Sequence, residues 1–240
     1  MRGEKDRSGK WLLEHFGDCV LTGLAGVTER IEAWKSVQAE VVQPKQLSDG
    51  LLEVRFAGRK KSDRSLIEIA TYPDKRVSEQ MMRDTALVFL DQHRLPEVVT
   101  LVLAERGQQS VSGAATQRSR LGWTEWNLKW KVVNLWEVPA ENLLAVHDVG
   151  LIPWVPLTRF KGDGDALLRE CRRRIEEKAA PQDQGNLLAV TQILGRLRFD
   201  YDMLASIFKE SEGMIESPFL EEYAQERAQK MLTDPKVIQA

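Results

Sequence analysis

Two carboxylates have the spacing to do chemistry together. Asp49 stands in SDG at the mouth of LLEVRF (51–56), and Glu68 lies 19 residues later inside the apolar run SLIEIAT (65–71). If the two runs pair as a hairpin, both acids can converge at one end of a sheet. Two convergent carboxylates bind Mg²⁺ or Mn²⁺ through oxygen and leave positions for water and a phosphate oxygen. Such a metal turns water into a nucleophile and neutralises charge as a phosphodiester is cleaved. A plainer reading stands beside each residue. Asp in SDG also suits a tight turn. Glu68 needs a cation only if its face is buried, and on an outward face it is an ordinary strand residue.

The elements that must position these acids follow from periodicity. LLEVRF alternates Leu52, Val54 and Phe56 with Leu51, Glu53 and Arg55, a strand with one wet face. The charged connection AGRKKSDRS joins it to SLIEIAT, where Leu66, Glu68 and Ala70 share one face. Pro73 closes that strand, and Ser78 with Glu79, Gln80 and the recurrence Met81, Met82, Leu87, Val88, Leu90 predicts a helix ending near His93. EVVTLVLA (97–104) is an almost continuous apolar run, as in a strand covered on both faces. Strand, helix and buried strand make a βαβ unit with a right-handed crossover. Upstream, residues 10–35 read as a helix or two broken by Gly17, Gly23 and Gly26, and AEVVQP as a first strand. Downstream, a strand is expected around Trp130 to Val138, then a short helix capped by Gly150 and an extended LIPWVPLTRF. From about residue 163 the pattern becomes helical throughout. The expectation is an α/β fold: a mixed central sheet with flanking helices over 1–160, and a helical C-terminal region over 161–240.

Composition narrows the function classes. The 240 residues carry a formal net charge of −2, so no overall basic surplus announces nucleic acid, although a local patch suffices for it. MRGEKDRSGK has no apolar h-region, and no run approaches a membrane span, which points to the cytoplasm. Cys19 and Cys171 match no metal or redox spacing, and His15, His93 and His147 sit in unrelated segments. Tryptophans concentrated between 123 and 136 suit sheet packing better than base stacking. GDGD (162–165) reads as a turn with an N-cap, and Arg172 to Arg174 as a helix face paired to Glu176 and Glu177.

The order acidic residue, strand, Glu-bearing strand, helix, buried strand resembles the PD-(D/E)XK nuclease superfamily. SDGLLEVRF, LIEIATYPDKRVSEQMMRD and LPEVVTLVLAERG look like the core of its recombination-promoting nuclease and transposase group and of related bacterial, especially cyanobacterial and planctomycete, proteins. The similarity runs over about residues 9–220 and includes GLIPWVPL, LLAVTQILGRL and MIESPFL. It implies a Mg²⁺- or Mn²⁺-dependent DNA endonuclease, linked to mobile elements or recombination, with Asp49 and Glu68 as metal ligands. The superfamily places Lys or Gln two residues after the Glu, where this chain has Ala70, which can neither orient water nor donate to a phosphate. The polar group then comes from the following helix, with Gln80 the best candidate, or from Lys75 just before it. Glu14 in the first helix is a further acidic candidate, and Glu53 either a solvated pair partner or support for the site. DNA is expected to lie along Arg55, Lys60, Lys61 and Arg64. The alternative is a catalytically silent member acting as an interaction or assembly module, with an exposed apolar stripe on a helix such as 186–199. The C-terminal helices could equally dock on the core or form a homo-oligomer.

Overall fold

The computed structural model describes residues 2–36, 49–120 and 124–208, with side chains from residue 7 onward. The chain is α/β, and it divides into two compact units. Met1–Leu151 with Leu157–Phe160 form the first, and Ile152–Pro156 with Lys161–Ala240 the second.

The first unit opens with helix α1 (Arg2–Cys19), bent at Phe16 and continued by a π-helical turn at Val20–Leu24. Strand β1 follows at Ile31–Ser36 and pairs antiparallel with β2 (Gly50–Phe56). β1 corrects the helical reading of TERIEAWK. The segment is too short to decide its period alone, and the open edge of β2 supplies hydrogen bonds that a short amphipathic segment cannot make by itself. The strand expected at AEVVQP lies outside the described residues. β2 pairs antiparallel with β3 (Asp63–Ala70), as the alternating pattern required.

Helix α2 (Arg76–Gln92) crosses back over the sheet. Asp74 Oδ1 accepts the Arg76 N–H at 2.9 Å at its start, and His93 ends it with a left-handed φ of 53° and an N–H to the Phe89 carbonyl. Strand β4 (Glu97–Val102) then lies parallel to β3. A hairpin missed in the sequence follows: β5 (Ala114–Arg118) and β6 (Glu125–Lys129) form a separate two-stranded sheet. β7 (Lys131–Asn134) adds parallel to β4, giving the order β1-β2-β3-β4-β7. The strand expected to reach Val138 gives way to a 3₁₀ turn at Leu135–Glu137.

The face of β3 and β4 bearing Leu66, Ala70, Val98 and Val102 packs on Val77, Met81 and Val88 of α2, with Trp130, Val132 and Trp136 at the margin. These tryptophans therefore do packing work. Trp126 is exposed. The opposite face receives α1. Two glycines permit its close approach: a Cβ on Gly9 would overlap the Ile69 side chain, and one on Gly50 would stand 2.9 Å from Leu13 Cδ1.

Helix α3 (Ala140–Ala145) stops short of the expected cap at Gly150, because Asp148 Oδ1 turns the chain by accepting the Gly150 N–H at 2.9 Å. LIPWVPL, expected to be extended, winds as 3₁₀ turns over Val149–Leu157, whose dihedrals suit the fixed φ of Pro153 and Pro156.

In the second unit α4 (Gly164–Lys178), α5 (Pro181–Gly195) and α6 (Tyr201–Phe208) pack together. Asp163 N-caps α4 by accepting the Asp165 N–H, and Arg172 and Arg173 pair with Glu176 and Glu177 one turn on. Leu187 to Gly195 are all buried, so the exposed apolar stripe expected over 186–199 is not present on α5. SPFLEEYAQERAQKML lies outside the described residues. No described helix is long and apolar enough to cross a membrane.

Candidate functional site

The hairpin register brings Asp49 beside Glu68. β2 begins at Gly50, opposite Ile67, so Ile69 lies past the end of that ladder. Its N–H donates to Asp49 Oδ2 at 2.9 Å instead. Asp49 thus completes the sheet edge as a turn residue would, while its other oxygen, Oδ1, stands 3.2 Å from Lys10 Nζ on α1. Burial pushes the Asp49 carboxyl above its usual range, and Lys10 and the Ile69 amide oppose that shift.

Glu68 is 8% exposed and faces α2 from the middle of the buried run. Its Oε2 has no hydrogen-bond partner among the described residues. Burial raises its pKa to about 9, helped by the negative charges of Asp49 and Asp84, while the Asp49 backbone N–H and the Gln80 side chain pull it down. No described lysine or arginine forms an ion pair with it. Its register partner on β4, Thr100, also buries a hydroxyl without a partner. Two adjacent strands therefore present unanswered polar oxygen toward α2, a costly arrangement for packing alone.

α2 supplies the rest of the surroundings. Gln80 reaches Glu68, as anticipated from its place in the first turns of the helix. Asp84, one turn further on, is fully buried on the same helix face as Met81 and Val88, and Arg83 Nε donates to its Oδ1 at 2.9 Å. Asp84 was missed as a site residue. Its signal is legible, since it breaks the apolar stripe Val77, Met81, Val88. Ala70 is buried in the core beneath α2 and contributes no polar group. Lys75 is exposed at the helix start, without an ion pair to the acids among the described residues. Glu14 is exposed on α1, and Lys10, one turn earlier, is the α1 side chain that reaches the site. No local pattern marks Lys10, which depends on where α1 docks.

The expected DNA-binding set lies elsewhere. Arg64 is four residues from Glu68 along β3, about 13 Å away at the usual strand rise. Arg55, Lys60 and Lys61 flank the turn end of the hairpin, so the structure does not gather these four around the acids. Arg55 pairs with Glu32 and Arg64 with Glu53, which also meets Lys35. Glu53 is accordingly a pair partner. A cleft of about 250 Å³ there is lined by Glu53, Lys61, Ser62, Arg64, Gln92 and Arg94, but Arg94 is held by Asp63.

The cysteines are buried, and burial pushes the Cys171 thiol up to about 12 and that of Cys19 higher still, which removes both as nucleophiles. Among the described residues no three His, Cys, Asp or Glu side chains form a ready metal cage. The oxygen-only pair Asp49 and Glu68, with the orphan Oε2, fits a hard cation that takes one or two carboxylates and completes its shell with water and phosphate. Comparison with protein-family models, curated proteins and solved structures gives no match.

Proposed function

We propose that this chain is a PD-(D/E)XK-like DNA endonuclease that hydrolyses phosphodiesters with Mg²⁺ or Mn²⁺. The observation that carries the reading is Glu68: a buried carboxyl with an orphan oxygen, beside a second carboxylate fixed at the end of the neighbouring strand. The order of elements from Asp49 through β2, β3, α2 and β4 supports the same resemblance. A bound divalent cation supplies a hydroxide at neutral pH and charge neutralisation on the phosphate.

The protein's own residues prepare for that chemistry. Asp49 presents one oxygen because the Ile69 N–H fixes the other. Glu68, whose carboxyl burial holds protonated, would be the second oxygen ligand, its proton passing to solvent as a cation entered. Gln80, already against Glu68, can both donate and accept, which suits it to orient water in place of the residue missing at Ala70. Lys75 offers an exposed ammonium at the start of α2 for a phosphate.

Cleavage of supercoiled plasmid with Mg²⁺ or Mn²⁺ tests the proposal. Nicking by the wild-type chain, lost with EDTA and reduced at least about 100-fold by Glu68→Ala, is the expected result. Absence of cleavage, or cleavage that Glu68→Ala leaves unchanged, overturns it.

A further inference from the structure

Lys10 occupies the only Asp49 oxygen that the backbone leaves open. Oδ2 accepts the Ile69 N–H at 2.9 Å, and Oδ1 faces Lys10 Nζ at 3.2 Å. Oδ2 already answers one N–H, so Oδ1 is the less committed oxygen, the one on which a cation at Asp49 would meet Lys10.

The two partners are held unequally. Asp49 is fixed by its backbone and by the Ile69 amide, and its side chain is 12% exposed. Lys10 hangs on a flexible stem, 46% exposed, with a route to water. Its base is fixed by Gly9 lying against Ile69 and Leu13 against Gly50, so the ammonium can leave while the helix stays. Nearby Glu68 offers a second, buried oxygen with no partner among the described residues. The ammonium on Asp49 leaves that oxygen unanswered, whereas a divalent cation that bridged the two acids would answer it.

Resting on the metal-site reading above, we infer that Lys10 is a tethered counter-ion. It neutralises Asp49 in the metal-free protein and gives up Oδ1 when a divalent cation enters. Lys10 thereby sets the affinity of the site by competition. A lysine with a merely structural role acts in the opposite direction: its loss loosens Asp49 and weakens metal binding.

Calorimetric titration of the full chain with Mn²⁺ separates the two. Lys10→Gln keeps the stem and removes the charge, and Lys10→Arg keeps the charge. The expected result is Mn²⁺ binding roughly three- to tenfold tighter in Lys10→Gln and within about twofold of wild type in Lys10→Arg. Thermal unfolding gives a second readout: Lys10→Gln melts at or below wild type without metal and gains more from saturating Mn²⁺. Unchanged or weaker binding in Lys10→Gln, with wild-type binding intact and sensitive to Asp49→Asn, overturns the competition while leaving the metal site standing. Wild-type protein that takes up no Mn²⁺, or whose uptake ignores Asp49→Asn, removes the metal site and the competition with it.

Discussion

The two ends of the β2–β3 hairpin use the same residue types under opposite rules. At the turn end, Arg55, Arg59, Arg64 and Arg94 each meet a carboxylate from Glu32, Glu29, Asp63 or Glu53. These pairs are partly exposed, and such pairs are worth about 0–1 kcal/mol each. At the open end, Glu68 is buried beneath α2, Asp84 is buried on α2 itself, Asp49 is nearly buried, and Glu68 has no cationic partner among the described residues. The turn end has the positive charge that suggests a phosphate site, yet its arginines are spent on neighbouring acids and only Lys60 and Lys61 are left exposed there without an ion pair among the described residues. At the open end the acids themselves are buried, and the chemistry lies in what is left unanswered. A strongly perturbed, under-partnered acid is a better marker of function than a dense set of surface pairs.

Glu68→Gln gives the largest effect and tests the open end most directly. Gln keeps the shape of the protonated acid but cannot ligate as a carboxylate, so metal-dependent cleavage should fall at least about 100-fold. Stability should move the other way. The folded pKa of Glu68, about 9, lies above its ordinary value of 4.5, so the native state holds more protons than the unfolded chain between those limits. Metal-free stability therefore falls as pH rises from about 4.5 toward 9, and Glu68→Gln removes that slope. At pH 8 the variant should be more stable by on the order of 1–3 kcal/mol in urea unfolding. Glu170 in α4 has the opposite sign. Arg173 and Arg174 hold its pKa down to about 2, so its contribution is full above 4.5 and is lost as pH falls toward 2. The alkaline slope should respond to Glu68→Gln and the acid slope should not. A variant that is inactive and also less stable at pH 8 would make Glu68 a structural acid.

How far the open end was legible depends on how local its causes are. β2, β3, α2 and β4 are written in short-range patterns: alternation in LLEVRF, an apolar run around Glu68, a helix stripe and a Val-rich strand. Asp49 and Glu68 could be paired from these because a hairpin fixes its own register. Asp84 was equally local, a carboxylate at a stripe position, but it carries no weight until the stripe is known to lie over Glu68. Lys10 was not readable. Its place depends on α1 docking across the sheet through Gly9 against Ile69 and Leu13 against Gly50, contacts between segments far apart in the chain. β1 was misread for the same reason, since its strand state comes from the edge of β2 rather than from TERIEAWK. The pairing of the basic turn was not readable either, because its acidic partners Glu29 and Glu32 arrive from β1 and the segment before it.

Gln80→Ala is the intermediate test. Gln80 touches Glu68 from α2 while Ala70 offers nothing, so removing the amide should lower kcat about 5- to 20-fold with little change in the Mn²⁺ needed for half-maximal rate. Gln80→Glu, which adds a carboxylate, should tighten metal binding without restoring the rate. Loss of metal affinity in Gln80→Ala with an unchanged rate at saturation would instead place Gln80 as support for the Glu68 carboxylate. Substitution at Lys75, which is exposed and makes no ion pair with the acids among the described residues, should alter DNA affinity and its salt dependence before it alters kcat.

The smallest effects belong to the turn end. Lys60→Ala and Lys61→Ala remove exposed cations about 13 Å or more from Glu68, and Arg64→Ala removes one already committed to Glu53 at 3.0 Å. Each should change DNA affinity less than about twofold at 0.15 M salt. Arg64→Ala should also cost no more than about 1 kcal/mol of stability, because Glu53 keeps Lys35 as a partner at 3.4 Å. The triple variant sharpens the comparison. If DNA approaches only the open end, the slope of log affinity against log salt stays within about one counterion of wild type. A slope reduced by about three would mean that the turn end contacts the backbone of a duplex long enough to span the hairpin. The acids would then act at one end of an extended contact surface, and the paired arginines would have to exchange Glu32 and Glu53 for phosphate on binding.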